Sequence, residues 1–295
     1  MRLLVTGTSG QLAQSLLELG LARGVDIIAL RRPQLDLTIP STIAVALADA
    51  RPDIVVSAAA YTAVDKAERE PELAHRVNAT GAGHVAAQCE RLGIPVFHLS
   101  TDYVFGGTKS APYVETDPTS PINVYGRSKL AGEEAVAKAC QRHVILRTSW
   151  IHSPFGNNFV RTMLRLASTN EELRVVDDQL GCPTYAPDLA GVILGLAHRV
   201  ERTPAGAPHW GTYHATGSGE TTWCGFAREI FEVAAGSGLP KPVVHAIATA
   251  DYPTPARRPA NSRLDCGKLA RTFGVQLPDW RDGARHCVER LVATP

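Results

Sequence analysis

Arg2-Leu3-Leu4-Val5-Thr6-Gly7-Thr8-Ser9-Gly10-Gln11-Leu12-Ala13 is the stretch that decides how this chain folds. Residues 2–6 form a short run of strand character, and Gln14-Ser15-Leu16-Leu17-Glu18-Leu19 has the apolar period of a helix. Between them the spacing is Gly-x-x-Gly-x-x-Ala. Glycines at Gly7 and Gly10 allow a tight turn and the close approach of a pyrophosphate, whose charge is stabilised by the N–H groups that open the helix. Ala13 stands where a third small residue lets helix and strand pack. The stretch therefore predicts a dinucleotide-binding loop at the head of the first domain.

Downstream, strand-like segments recur at Val25–Leu30, Asp53–Ala58, Pro95–Ser100 and His143–Arg147, with helical stretches between them. That alternation predicts an α/β fold, a doubly wound parallel sheet of the Rossmann type joined by right-handed crossovers. Functional residues are then expected at the carboxyl ends of the strands, where Gly7, Arg31, Ala59, Thr101 and Trp150 stand. Beyond Trp150 frequent prolines break the pattern. We expect residues 1–150 to form the dinucleotide-binding domain and 151–295 mainly a smaller substrate-binding region. A helix over 186–200 and a strand near 212–215, within 186–216, are expected to return to the sheet.

The second strand ends in Arg31-Arg32. An acidic side chain at this place takes a ribose 2′-hydroxyl, whereas Arg takes a 2′-phosphate. The basic strand end predicts a preference for NADPH over NADH.

Tyr125-Gly126-Arg127-Ser128-Lys129 opens a predicted helix over 124–140. Positions i and i+4 share a helix face, so Tyr125 and Lys129 are expected side by side. An ammonium beside a phenol favours the phenolate, which predicts a Tyr that releases its proton closer to neutral pH and serves as donor to a ketone oxygen. With seven Tyr and six Lys in the chain, such a pair arises by accident in about one sequence in seven of this composition. Its weight comes from the Gly-rich loop and from Ser100-Thr101-Asp102-Tyr103-Val104-Phe105.

Composition closes off other classes. The 295 residues carry a net charge of +1 and are 44% hydrophobic, enough for a large core, and no basic stretch is interleaved with aromatics as nucleic-acid binding would need. No run approaches the ~18 apolar residues of a membrane span, and no signal-peptide pattern precedes the first strand. A soluble, cytoplasmic protein is expected. Six cysteines lie far apart without a Cys-x-x-Cys pair, and ten histidines are dispersed. Free thiols and no metal site follow.

On these residues the chain resembles the extended short-chain dehydrogenase/reductases and, within them, the dTDP-4-dehydrorhamnose reductase family. The matching blocks are Gly7-x-x-Gly10-Gln11-Leu12, Leu35-Asp36-Leu37-Thr38, Ser57 to Glu68, Ser100 to Phe105, Tyr125-Gly126-x-Ser128-Lys129, Arg147-Thr148-Ser149-Trp150 and Asp178-Gln179-x-Gly181-x-Pro183-Thr184. The resemblance implies that Gly10, Gln11 and Leu12 meet the pyrophosphate and that Asp36 and Leu37 hold the adenine side. It implies that Ala60, Tyr61, Thr62 and Leu99 line the cofactor cleft, and that Thr101, Asp102 and Trp150 contact the nucleotide-sugar. Tyr125 would donate the proton, with Lys129 as its partner and Thr101 on the carbonyl. Arg258, in Arg257-Arg258-Pro259, would hold the diphosphate.

The implied activity is NADPH-dependent reduction of a 4-keto nucleotide-sugar, supplying dTDP-L-rhamnose for surface polysaccharide. Related dehydratases carry Thr-Asp-Glu where this chain has Thr101-Asp102-Tyr103, so elimination lacks its second carboxylate and reduction is favoured. Some members dimerise through a metal held by an acidic residue of the first helix. Here that residue is Ser15, so a homodimer would not be metal-dependent. Two alternatives are a regulatory subunit of the methionine adenosyltransferase type and a reductase of another nucleotide-linked keto-sugar.

Overall fold

The computed structural model describes residues 1–293. Six strands build the central sheet: β1 (Arg2–Thr6), β2 (Asp26–Leu30), β3 (Ile54–Ser57), β4 (Val96–Thr101), β5 (His143–Thr148) and β6 (Gly211–His214). Their order is β6-β5-β4-β3-β1-β2, and every neighbouring pair is parallel. The order reverses beside β1, the crevice where such sheets bind dinucleotides. This is the doubly wound α/β fold expected from the alternation of segments.

Both faces of the sheet are covered, which is why its inner strands read as unbroken apolar runs. On one face Leu3, Val5, Val56 and Leu146 meet Leu16 of the helix Gln11–Arg23 and Leu189 and Ile193 of the helix Ala186–Val200. On the other, Leu4, Val55 and Ile145 meet Ile43, Val85 and Val136 from the helices Pro40–Ala50, Ala82–Leu92 and Val124–Ala139. Gly24 and Gly93 end two of these helices in the left-handed conformation.

A separate core joins the helices Phe159–Ala167, Trp223–Gly236 and Trp280–Ala293 through Met163, Phe226, Ile230 and Ala284. The chain thus leaves the sheet after β5, contributes to this second body, and returns as the edge strand β6. The segment Leu269–Leu277 also packs on the sheet's own core. No helix among the described residues is long and apolar enough to cross a membrane. All six cysteines are free.

Candidate active site

A cleft of about 1110 Å³ runs across the carboxyl ends of the strands. It is lined by every residue named above as a cofactor, substrate or catalytic contact, with the exception of Arg258.

At the loop after β1, Gly7 takes φ +92°, a conformation that disfavours other residues, and its N–H donates to Leu30 O at 2.6 Å. Gly10 differs. Its φ of −70° suits any residue, yet a Cβ there would meet nothing within 4 Å. The missing side chain leaves open space directly before the first turn of the helix Gln11–Arg23, whose N-terminus has no side-chain cap. Uncapped N–H groups facing a space of this kind suit a phosphate. The Gln11 carboxamide itself is committed elsewhere: Nε2 donates to Ile151 O at 3.2 Å, and Oε1 accepts from Ser153 Oγ at 2.9 Å and Asn158 Nδ2 at 3.0 Å. Leu12 is buried in the core. Both can meet a pyrophosphate only through their backbone.

Arg31 and Arg32 are exposed at the end of β2, and Arg76 lines the same part of the cleft. Asp36 caps its own turn, accepting from Thr38 N at 2.8 Å and Thr38 Oγ1 at 2.7 Å through one oxygen, bonds that hold its carboxyl below the usual range. Leu37 is buried, its carbonyl close against Gly81.

Beyond β3, Ala60, Tyr61 and Thr62 form the next wall. The Tyr61 hydroxyl donates to Glu70 at 2.7 Å, so that ring's polar end is occupied. The backbone of this wall is held by Asn78, buried in the π-helical turn Arg76–Gly81. Asn78 Nδ2 also reaches Ser128 Oγ at 2.9 Å, and Ser128 Oγ donates to Tyr125 O at 2.7 Å.

The Tyr125 helix is capped by Asn123, whose Oδ1 accepts from Gly126 N at 2.7 Å. A Cβ on Gly126 would lie 2.2 Å from Tyr103 O, so glycine there lets the helix settle onto the turn that follows Thr101. Tyr125 and Thr101 line the cleft beside one another. Burial pushes the Tyr125 phenol up to about 12, the Asp102 charge adds to this, and a hydrogen bond with Thr101 opposes it.

Here the expectation of an acidified phenol fails. Lys129 Nζ donates to Leu99 O at 2.5 Å and lies 3.5 Å from His98 Nε2, with no bond to Tyr125. Burial lowers the Lys129 ammonium to about 8, against the pull of Glu133. The i, i+4 spacing aligns the two side chains, but desolvation of the phenol outweighs the charge of an ammonium aimed at a carbonyl. Tyr125 therefore keeps its proton at neutral pH.

Asp102 is buried, with Oδ1 accepting from Thr101 Oγ1 at 2.8 Å and Oδ2 without a partner. Burial raises its carboxyl to about 7, opposed by the Ser262 and Thr101 hydroxyls beside it. Thr148 Oγ1 is likewise buried and unpartnered.

At the far end Trp150 lines the cleft together with Trp223. Arg258 stands apart, its guanidinium paired with Asp65 at 2.8 Å and donating to Ala256 O at 2.8 Å. A substrate contact from Arg258 would have to share it with Asp65. Ser15 is buried and bonds Gln11 O at 2.8 Å. Among the described residues no group of three or more His, Cys, Asp or Glu is placed to hold a metal.

Sequence reasoning missed Arg76, Asn78, His98 and Trp223. Asn78 interrupts an otherwise helical stretch and Trp223 follows the capping Thr222, but neither signal points to a cleft.

The whole described chain, residues 1–293, matches the family model for the RmlD substrate binding domain. A dTDP-4-dehydrorhamnose reductase of Sinorhizobium fredii is 53% identical over 292 residues, covering 99% of this chain and 98% of that protein. The crystal structure of a dTDP-4-dehydrorhamnose reductase from Clostridium acetobutylicum is similar at a TM-score of 0.91 and 35% identity, covering 99% of each chain. That of the Bacillus anthracis enzyme, solved in complex with NADP, has a TM-score of 0.91 and 37% identity, covering 98% of this chain and 99% of its own.

Proposed function

The chain belongs to the dTDP-4-dehydrorhamnose reductase family, and from that premise we propose that it reduces the 4-keto group of dTDP-4-dehydro-β-L-rhamnose to give dTDP-L-rhamnose, with NADPH as reductant and Tyr125 as proton donor. One observation carries the reading. Thr101, Tyr125 and Lys129 line the same cleft as a Gly-rich loop whose Gly10 leaves room for a phosphate.

The residues fit the cofactor. Backbone N–H groups after Gly10 would take the pyrophosphate, Arg31 and Arg32 a 2′-phosphate, and Lys129 a ribose hydroxyl. Bound there, the reduced nicotinamide supplies the hydride that the sugar carbonyl carbon accepts. Tyr125 hands its proton to the carbonyl oxygen, and the Lys129 charge stabilises the phenolate that remains.

Thr101 polarises the same oxygen. Its hydroxyl proton points to Asp102 Oδ1 in this structure; when Asp102 is protonated the bond reverses, and the Thr101 proton is free for the carbonyl. Tyr103 supplies no carboxylate for elimination. Its ring edge lies against Tyr125, centroids 6.0 Å apart, and burial holds its phenol far above the usual range.

The test is NADPH oxidation in the presence of dTDP-4-dehydro-L-rhamnose. Wild type should turn over and Tyr125→Phe should lose roughly 10²- to 10⁴-fold in kcat while binding NADPH normally. Absence of turnover by wild type with dTDP-, UDP- and GDP-linked 4-keto-sugars would overturn the reading and favour a regulatory nucleotide-binding role.

A further inference from the structure

Lys129 joins the cleft to two buried residues that do not line it, His98 and Ser57. These two are register partners on β4 and β3, and His98 Nδ1 lies 3.3 Å from Ser57 Oγ. The other ring nitrogen, Nε2, faces the helix Val124–Ala139. It stands 3.5 Å from Lys129 Nζ, and a Cβ on Gly132 would lie 3.5 Å from it. That Cβ would also overlap Asn78 O, so glycine at 132 lets the helix lie close enough on this wall for the ammonium to reach the imidazole.

The contact fixes the state of the ring. An ammonium carries donors only, so it meets the ring nitrogen that holds a lone pair, and the ring proton sits on Nδ1, directed at Ser57 Oγ. Burial and the Lys129 charge both push His98 well below its usual range, which keeps the ring neutral. Of the three N–H bonds of Lys129, Leu99 O takes one at 2.5 Å and His98 Nε2 a second. The third is left for the cleft, which Lys129 lines. We infer that His98 is a positioning residue of the reduction: through Nε2 it orients the Lys129 ammonium so that the uncommitted N–H meets the cofactor ribose, and it helps that group stay charged.

Other ionisable groups do not fill this role. On the same helix, Tyr125 stands one turn before Lys129 without a bond to it, and Glu133 one turn after. Glu133 is committed to Arg147 of β5 at 2.7 Å and to Ser100 Oγ at 2.5 Å, so it acts on the ammonium only through space. A contact of 3.5 Å is long for a hydrogen bond, which sets the expected effect at a few-fold rather than at the loss of a catalytic group. The inference rests on the reading of Lys129 as the ribose ligand and adds the residue that aims it.

The experiment compares wild type with His98→Phe, which removes the acceptor, and His98→Gln, whose amide oxygen can stand in for Nε2. Three quantities are measured: kcat/KM for NADPH, the binding of dTDP-L-rhamnose, and the titration of Lys129 followed by NMR of 13C-labelled lysine, its signal assigned by its loss in Lys129→Met. In His98→Phe, kcat/KM for NADPH should fall about three- to tenfold, the scale of one modest hydrogen bond. Lys129 should titrate at lower pH than in wild type, a change that a merely structural role of His98 would not produce. His98→Gln should recover part of both. Binding of dTDP-L-rhamnose should stay at the wild-type value, which reports that the variants are folded. The 15N spectrum of wild type, needing no folded variant, should show His98 neutral with its proton on Nδ1. A proton on Nε2, or kcat/KM and a Lys129 titration unmoved in folded His98→Phe, or His98→Gln no better than His98→Phe, overturns the inference. A wild type that does not bind NADPH overturns the reading of the cofactor site, and this inference with it.

Discussion

Asn78 grips the Tyr61 backbone on both sides of its Cα: its Oδ1 accepts from Tyr61 N at 2.7 Å and its Nδ2 donates to Tyr61 O at 3.0 Å. The same amide reaches Ser128 on the Tyr125 helix. One buried side chain thus locks the cleft wall at Tyr61 to the helix that carries Tyr125. Asn78→Ala leaves these groups unpaired and is expected to cost roughly 1–3 kcal/mol of stability, read from denaturant unfolding, with a rise in KM for NADPH.

Gly7 and Gly10 should respond in opposite ways. Gly10→Ala enters open space at an ordinary φ, so its melting temperature should match wild type while NADPH affinity falls at least about tenfold, because the new methyl occupies the phosphate's place. Gly7→Ala, forced to φ +92°, should lose on the order of 1 kcal/mol of stability. Calorimetry with and without NADPH separates the two.

Asp102 and Lys129 should set the pH profile. Asp102 is raised to about 7 and Lys129 lowered to about 8, whereas Tyr125 keeps its proton well beyond both. Rising pH therefore removes first the Asp102 proton and then the Lys129 charge, and kcat/KM for reduction should fall above pH about 7. Asp102→Asn keeps a neutral donor to Thr101, so the fall should move up toward about 8, where Lys129 loses its charge. A profile that does not move removes Asp102 from the mechanism.

Lys129 also costs stability. A folded-state pKa of about 8 against the usual 10.5 means that the unfolded chain binds more protons between these values, so this group's penalty is full below about 8 and relieved as pH rises toward 10.5. Lys129→Met should abolish turnover yet gain on the order of 3 kcal/mol at pH 7 relative to wild type, a difference that shrinks by pH 10. Paired urea titrations at the two pH values test the sign.

The basic end of β2 should decide cofactor choice. Replacing Arg31 and Arg32 together with Ala is expected to weaken NADPH about tenfold or more and leave NADH nearly unaffected, since only the former carries a 2′-phosphate. Comparable turnover with both cofactors in wild type would contradict this.

Much of this was legible in the chain. β1, β3, β4 and β5 announce themselves because a parallel sheet buried on both faces needs continuous apolar runs, and Ala186–Val200 appears as a helix from its period. What was not legible depends on tertiary geometry. Spacing aligned Tyr125 with Lys129 but could not say that the ammonium ends on Leu99 O. Trp223 lies 73 positions from Trp150, and only the second body's folding brings the two rings together. That Arg258 pairs with Asp65 could not be read from the chain, because the two lie 193 positions apart.

The route of the chain out of β5 and back into β6 has a practical consequence. A fragment ending near residue 150 would lose the edge strand Gly211–His214, the helix Ala186–Val200 under one face, and the seal that Leu269, Phe273 and Leu277 place on that face. The nucleotide half is no separable cassette that could be excised and grafted elsewhere. Its partner body is tied to the sheet at several crossings of the chain, after β5, before and after Gly211–His214, and again after residue 277.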